Sequence, residues 1–435
     1  MSNIWKPYTP SNRLPWNFDR AKHLHRRASF GATWSELQRD KADGPGDSVT
    51  RLLNGTSRIE GQRADFEDMS IVIGDAAAAS GDENRLKAWW LFRILFTPDP
   101  LQEKLALLWH NHFATSNLKV QDLLLMKGQN ALFRQHAAAK FGKLLRKVLR
   151  DPAMLYWLDA NSNRKESPNE NLARELMELF TLGVGHFTEG EIKEAARALT
   201  GWTVLRGDVK FRPDRHDDGL KTILGKTDRF NAESFASALL EHKATSRRIA
   251  WRLCELLMGE NVVDEVAIDQ LAAGLQKRDL DIRWAVETIL RSELFFSDAN
   301  IASRISSPVE FTIGAIRSLE LFDKPPSTLI LAEWCSRLGQ DLFRPPNVGG
   351  WAGGRSWLNS RTIVGRSNFA AALVAGDLRA PSFAPPLEKL LQKTGKNGFE
   401  KLLLGKPSGQ VAIRKMGSLH AKVARLLSCP EAFVC

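Results

Sequence analysis

The sequence predicts a mainly α protein, a large multi-helical globular body with long ordered loops and at most a small β-hairpin. Three observations carry this. Apolar residues recur at spacings of three and four along most of the chain. Alternating strand-like runs are scarce. No regular exchange of strands and helices points to a doubly wound parallel sheet. With 435 residues, 43% hydrophobic and 26% charged, the composition is that of a folded globular chain rather than a disordered or fibrous one.

In order, the helical pattern covers Leu86–Phe96, Leu101–Phe113, Leu123–Leu132, Leu172–Leu182, Ile192–Leu199 and Phe235–Leu240. It resumes over Ile249–Met258, Ala267–Leu275, Trp284–Leu290, Phe311–Leu319 and Leu329–Leu338. Pro98 and Pro100 separate two of these helices, and Asp151-Pro152 opens another with proline at an early helical position. Thr188 with Glu191 makes a capping box. Trp202–Phe211 is the candidate hairpin, turning at Gly207-Asp208. The polar run Asn161–Asn169 and the glycine- and proline-rich run Arg344–Arg355 read as loops, and the alanine-rich stretch Asp75–Ser80 as a mobile insertion near a helix end. No internal repeat of 20–50 residues is visible.

Three regions follow: an extension over 1–22, a helical core over 23–379 that could divide into two lobes near 225–235, and a basic helical segment over 380–435 packed on that core. The net charge is +11, and between Arg379 and Arg425 ten Lys or Arg face only Glu388 and Glu400, a net +8 in that segment. Such a segment could hold an anion or nucleic acid by counterion release. It lacks interleaved aromatics, and no zinc-finger or RNA-binding signature accompanies it, so a solvated basic face is the simpler reading and nucleic acid an unlikely partner. Cys254, Cys335, Cys429 and Cys435 form no CxxC pair and suggest neither a disulfide framework nor a zinc ribbon. No apolar run reaches the ~18 residues of a membrane span. The opening residues lack the pattern of a signal peptide, which makes a cytoplasmic chain the expectation.

The polar residues that invite a chemical reading lie in the middle third. His110 and His112 flank Asn111 in an HxH pattern, which could be a ligand pair or two core histidines. Asn169, Glu170, Asn171, Arg174, Glu175 and Glu178 follow. Glu175 and Glu178 share one helix face a turn apart. Arg174 could simply pair with a neighbouring carboxylate, while the surrounding leucines imply burial, and a buried carboxylate needs a partner or a metal. His186 falls in a glycine-flanked loop, and His216-Asp217 forms a loop dyad. No HExxH, GxSxG, Walker A or dinucleotide fingerprint occurs, and Glu175-x-x-Glu178 has the di-iron spacing without its histidine.

Several segments together resemble a bacterial family, the domain of unknown function 1800. They are HLHRRASFGAT (His23–Thr33), LLWHNHFATS (Leu107–Ser116), RDPAMLYWLDANSN (Arg150–Asn163) and the long run Pro168–Thr203. FRPDRHDDGLKTILG (Phe211–Gly225), SPVEF (Ser307–Phe311), FRPPNVGGWAGGRSWLNS (Phe343–Ser360) and the closing LLSCPEAF complete them. The resemblance implies no activity. Many members look exported and are encoded beside a sulfatase-like family, which implies an accessory or maturation role with a neighbouring-gene partner.

Three functions remain in view. In the first, the chain is an enzyme, a metal-dependent hydrolase. His110, His112, Glu178 and His216 hold a divalent zinc, manganese or iron, with Glu175, Arg174, His186 and Asp217 as catalytic groups. Asp217 orients His216 there, and Arg174 or Lys221 steadies an anionic substrate group. In the second, it is a non-catalytic accessory protein that docks a partner through the loop Val348–Trp357, whose Trp351 and Trp357 are otherwise core residues under glycine turns. In the third, the basic segment binds an anion.

Overall fold

The computed structural model describes residues 3–55, 60–379, 381–405 and 417–435. Among them are twenty α-helices and two separate two-stranded antiparallel hairpins. The mainly α expectation holds, and the chain reaches it by the local signals the sequence carries. The break at Pro98 and Pro100 separates Glu83–Phe96 from Pro100–His112, and Pro100, Pro152 and Pro308 each sit in a first helical turn. There the absent N–H costs no intrahelical bond. The Thr188 hydroxyl accepts from the Glu191 N–H, and the Glu191 carboxylate accepts from the Thr188 N–H, which starts Glu189–Ala198.

Three local readings need correction. The hairpin β1 (Trp202–Leu205) and β2 (Asp208–Phe211) turns at Arg206-Gly207, one residue earlier than expected. Both turn residues have positive φ, the geometry whose twist matches paired strands. A second hairpin, β3 (Lys221–Ile223) and β4 (Lys226–Asp228), goes beyond the single one expected. The alanine-rich stretch Asp75–Ser80 closes the helix Glu60–Ala79, with Ala77 and Ala78 buried; alanine favours a helix there rather than loosening it.

Two apolar clusters form the interior. One gathers Leu101, Trp109, Phe113, Phe133 and Phe141 with residues on both sides of 225–235. The other gathers Trp90, Phe311, Phe343 and Phe369 with Phe399 and Leu427 from the last two helices, Leu387–Leu403 and Leu419–Ser428. The helix Pro100–His112 serves both, giving Leu105 and Trp109 to the first and Leu107 to the second. It also carries two adjacent buried charges. Glu103 accepts from Trp90 Nε1 and Arg93 Nε at 3.0 and 2.9 Å and is paired with Arg134 as well. Lys104 turns the other way, toward Ser29 and Glu310. All four cysteines are free, and among the described residues no helix is long and apolar enough to cross a membrane.

Glu103 ties three helices through one buried carboxylate. Truncation leaves Arg93 and Arg134 buried without it, so Glu103→Ala should lose about 3–5 kcal/mol of unfolding free energy. Urea denaturation against wild type measures this; a loss below about 1 kcal/mol would contradict it.

Candidate functional site

The residues singled out in the sequence fall into separate places. On Pro100–His112 an i, i+2 spacing turns two side chains to different sides. His110 Nε2 accepts the Phe343 N–H at 3.2 Å, and its ring packs against Trp90, Phe343 and Trp351. Burial pushes its pKa down to about 3. His112 Nε2 donates to the Phe180 carbonyl at 3.0 Å among Trp109, Phe113 and Phe141. Burial, then the charges of Arg252 and Arg248, hold it well below the ordinary histidine range. Both rings are neutral core side chains with Nε2 committed to the backbone.

The expected helix Leu172–Leu182 is broken into two forms. Asn171–Glu175 is α-helical and Leu176–Thr181 is π-helical, so Leu182 N–H reaches back to Met177 O at 2.9 Å. A π turn displaces carbonyls from the regular ladder. Here Phe180 O accepts a hydrogen bond from His112, and Leu179 O accepts from Arg248 Nε and Nη2 at 3.3 and 3.2 Å. Thus His112 satisfies an irregular helix. Glu175 and Glu178 sit half-buried on this segment without a hydrogen bond or ion pair among the described residues. Burial and then the Glu178 charge raise the Glu175 carboxyl.

The other polar positions are engaged locally. Arg174 grips Glu189 with two nitrogens at 3.0 and 2.8 Å and also pairs with Glu170. Asn169 Oδ1 accepts the Asn171 N–H, and Asn171 Nδ2 donates to Asp159, which holds the loop before the helix. His186 is exposed, with its ring 5.8 Å from His242. Asp217 does not orient His216: it pairs with Arg197 at 2.7 Å, while His216 Nδ1 lies 3.0 Å from Thr200 O. Lys221 donates to the carbonyls of Asp217 and Gly219 at 2.6 and 2.9 Å. The expected convergence on a metal is therefore not what these side chains form. Among the described residues no three His, Cys, Asp or Glu side chains are grouped to hold a metal ion, and His110 and His112 give Nε2 to the backbone, so these donors do not fit a zinc, manganese or iron site.

What the fold does build is a cleft of about 690 Å³ between the segment Trp251–Ile268 and the glycine-rich loop Trp351–Trp357. At its floor the Glu310 carboxylate accepts from Ser307 N at 2.7 Å and is shared by Lys104 and Arg304. Burial alone would raise this carboxyl, but the two cations outweigh it and keep Glu310 ionised. Arg252 lies buried on one wall, giving one nitrogen to Glu255 at 2.8 Å; its Nε, like that of Arg304, has no acceptor among the described residues. Trp251, Met258, Trp351 and Trp357 supply apolar surface. Trp351 and Trp357 are buried core-facing residues that line the cleft, not an exposed docking face.

Asn111 holds the loop open from below. Its Oδ1 accepts Trp351 N–H at 2.7 Å and its Nδ2 donates to Trp351 O at 3.3 Å, as a strand partner would. Gly350 has φ +77°, and a Cβ there would stand 2.2 Å from Asn111 Oδ1. The WHNH, SPVEF and GGWAGG segments thus meet around one cavity. The family model for a protein of unknown function (DUF1800) matches residues 23–431. The chain belongs to this family. No curated protein and no solved structure matches it. Within the DUF1800 chain, Lys104, Arg252, Arg304 and Glu310 went unnoticed in the sequence. Two signals were there: the Ser307–Glu310 capping box and a Glu-Lys pair directly before the apolar run Leu105–Trp109.

Gly350→Ala meets both the positive φ and the Asn111 contact, and should cost about 2 kcal/mol or more. Gly349→Ala, whose nearest neighbour would be 3.2 Å away without a positive φ, should cost well under half of that. Chemical denaturation of the pair decides it; equal losses would count against a loop seated by Gly350.

Glu175→Gln should stabilise the protein at neutral pH by about 0.5 kcal/mol, the scale of a like-charge pair on a helix. Because the folded pKa is raised, the penalty is present above it and vanishes below the ordinary carboxylate pKa. The gain should therefore shrink to nothing near pH 4, which denaturation curves at the two pH values would test.

Proposed function

We propose that this chain is a ligand-binding protein working through the cleft, and that its ligand joins an apolar body to an anionic group. One observation carries the reading: Arg252 is buried in the cleft wall with a guanidinium N–H that has no acceptor among the described residues. A buried donor without a partner is costly, and a ligand oxyanion would satisfy it with a charge-assisted bond. The local charge balance supports this. The single carboxylate of Glu310 serves both Lys104 and Arg304, Glu255 takes Arg252, and Glu265 turns outward to Arg247, so the inner wall keeps one cation in excess. Arg355 and Glu260, 3.5 Å apart, stand at the rim where a ligand would enter. The apolar part would lie against Trp251, Met258 and Trp357. A cleft of this size with few convergent polar groups is the ordinary form of a small-molecule site.

Anilinonaphthalene sulfonate, an aromatic ring system with one anionic group, is a suitable probe. The full chain should bind it with enhanced fluorescence, and Arg252→Gln should weaken binding by roughly tenfold or more, the equivalent of about 1.5 kcal/mol for a charge-assisted bond. Arg252→Lys should retain part of the affinity. Unchanged affinity in Arg252→Gln, with the melting temperature preserved, would refute the reading.

A further inference from the structure

A second cavity of about 650 Å³ lies elsewhere on the molecule and shares no lining residue with the cleft above. Its basic side is the helix Phe141–Val148 with the residues that follow. Lys143, Arg146, Lys147 and Arg150 all line it, as does the acid Glu233. Glu233 is taken by Arg146 and lies 3.5 Å from Arg150. Lys143 and Lys147 are exposed and make no ion pair among the described residues. The other acid in the wall, Asp151, is buried, caps Met154 N and accepts from Gln129, and its carboxyl is pushed up to about 7 by burial. Around neutral pH it therefore cancels only part of one charge. Burial first, and then the charges of Lys147 and Lys143, depress His136 on the same wall, so the two lysines act on the cavity itself.

The opposite wall is aliphatic and protrudes. Leu124, in the first turn of the helix Leu123–Gln135, is 60% exposed and lines this cavity. It also lines a neighbouring hollow with Leu118, 61% exposed, from the four-residue helix Asn117–Val120. The β1–β2 hairpin reaches the same helix, since a Cβ on Gly207 would stand 3.5 Å from Leu125. Two residues before that glycine Leu205 is 60% exposed. Of the acids at this end, Asp122 is spent on the backbone N–H groups of Leu124 and Leu125 at 3.0 Å and Glu83 is paired with Arg344, while the exposed Asp208 stands opposite Leu205 in the hairpin.

We propose that this face docks on an anionic phospholipid bilayer, with Leu118, Leu124 and Leu205 entering the interface and Lys143, Lys147, Arg146 and Arg150 meeting the headgroup phosphates. Single leucines raised on two helices and a strand end fit among acyl chains; they do not make the flat continuous patch of a protein interface. Aliphatic side chains also give nucleic-acid bases nothing to stack on. Basic residues beside inserted apolar ones attract an anionic leaflet and lose that attraction in salt.

Flotation of the full chain with vesicles tests this. It should float with vesicles of phosphatidylcholine and phosphatidylglycerol at low salt, and remain behind with phosphatidylcholine alone. Lys143→Glu with Lys147→Glu should lower the bound fraction by about tenfold or more. Leu124→Glu alone should also lower it severalfold, because the leucine inserts. The charge-matched pair Lys389→Glu with Lys396→Glu, on the exposed side of another helix, should leave flotation unchanged. Flotation lost equally in that control pair would overturn the proposal, since net charge would then explain it. So would indifference to Leu124→Glu, or binding to soluble polyglutamate without any flotation. Circular dichroism of each variant separates lost binding from lost folding.

Discussion

The interior depends on how one buried carboxylate is shared. Glu310 takes a backbone N–H from Ser307, the ammonium of Lys104 and the guanidinium of Arg304. A buried ion pair is stable only when the remaining lone pairs find donors, and here two donors from the segment Arg304–Ser307 and one from a distant helix converge. The capping box that starts Pro308–Ser318 is therefore also the tertiary tie to Pro100–His112. Position follows from it as well. With Glu310 saturated from within, two cations share its one carboxylate, and Arg252, paired with Glu255 through one nitrogen, keeps an Nε without an acceptor among the described residues.

The helix Pro100–His112 shows why polar residues in an apolar helix need not be catalytic. Glu103, Lys104, His110, Asn111 and His112 lie in one helix of thirteen residues, and four of them are fully buried. Each meets a different group: Arg93 and Arg134, Glu310, Phe343 N–H, the Trp351 backbone and Phe180 O. A helix surrounded on all sides has no solvent to satisfy its polar side chains, so the neighbouring elements do it. The histidines serve as uncharged hydrogen-bonding groups, a role that burial enforces by disfavouring the imidazolium.

The fold was largely legible because its signals are local. Proline breaks, the Thr188–Glu191 box and the threefold and fourfold spacings act over a few residues, and the structure follows them. The β3–β4 hairpin escaped because its turn, Leu224-Gly225, is flanked by only three residues on each side, too few to show alternation. The π turn also escaped, since a helix that shifts register by one residue keeps nearly the same apolar spacing. Sites are harder. Asn111 and the glycine loop each stood out, yet nothing in a linear pattern couples residues 240 positions apart. Their meeting is a tertiary fact. The His216-Asp217 dyad misled for the complementary reason: sequence neighbours on an extended backbone point apart, and Asp217 pairs with Arg197 from an earlier helix while His216 turns to Thr200.

The Asn111 clasp explains why this loop needs its glycines. A side-chain amide that bonds both sides of Trp351 has to approach the backbone as closely as a neighbouring strand does, and the contact is possible only where Gly350 presents no Cβ. The loop then turns so that Trp351 faces His110 while the following glycines pass over the cleft mouth. One asparagine on a rigid helix thus fixes the aperture of a cavity whose charged floor is set by Glu310, from a helix two hundred residues later. Both constraints act through Pro100–His112, so the width of the cleft and the sign of its charge are not independent features of the fold. They are two consequences of how that helix satisfies its buried polar side chains.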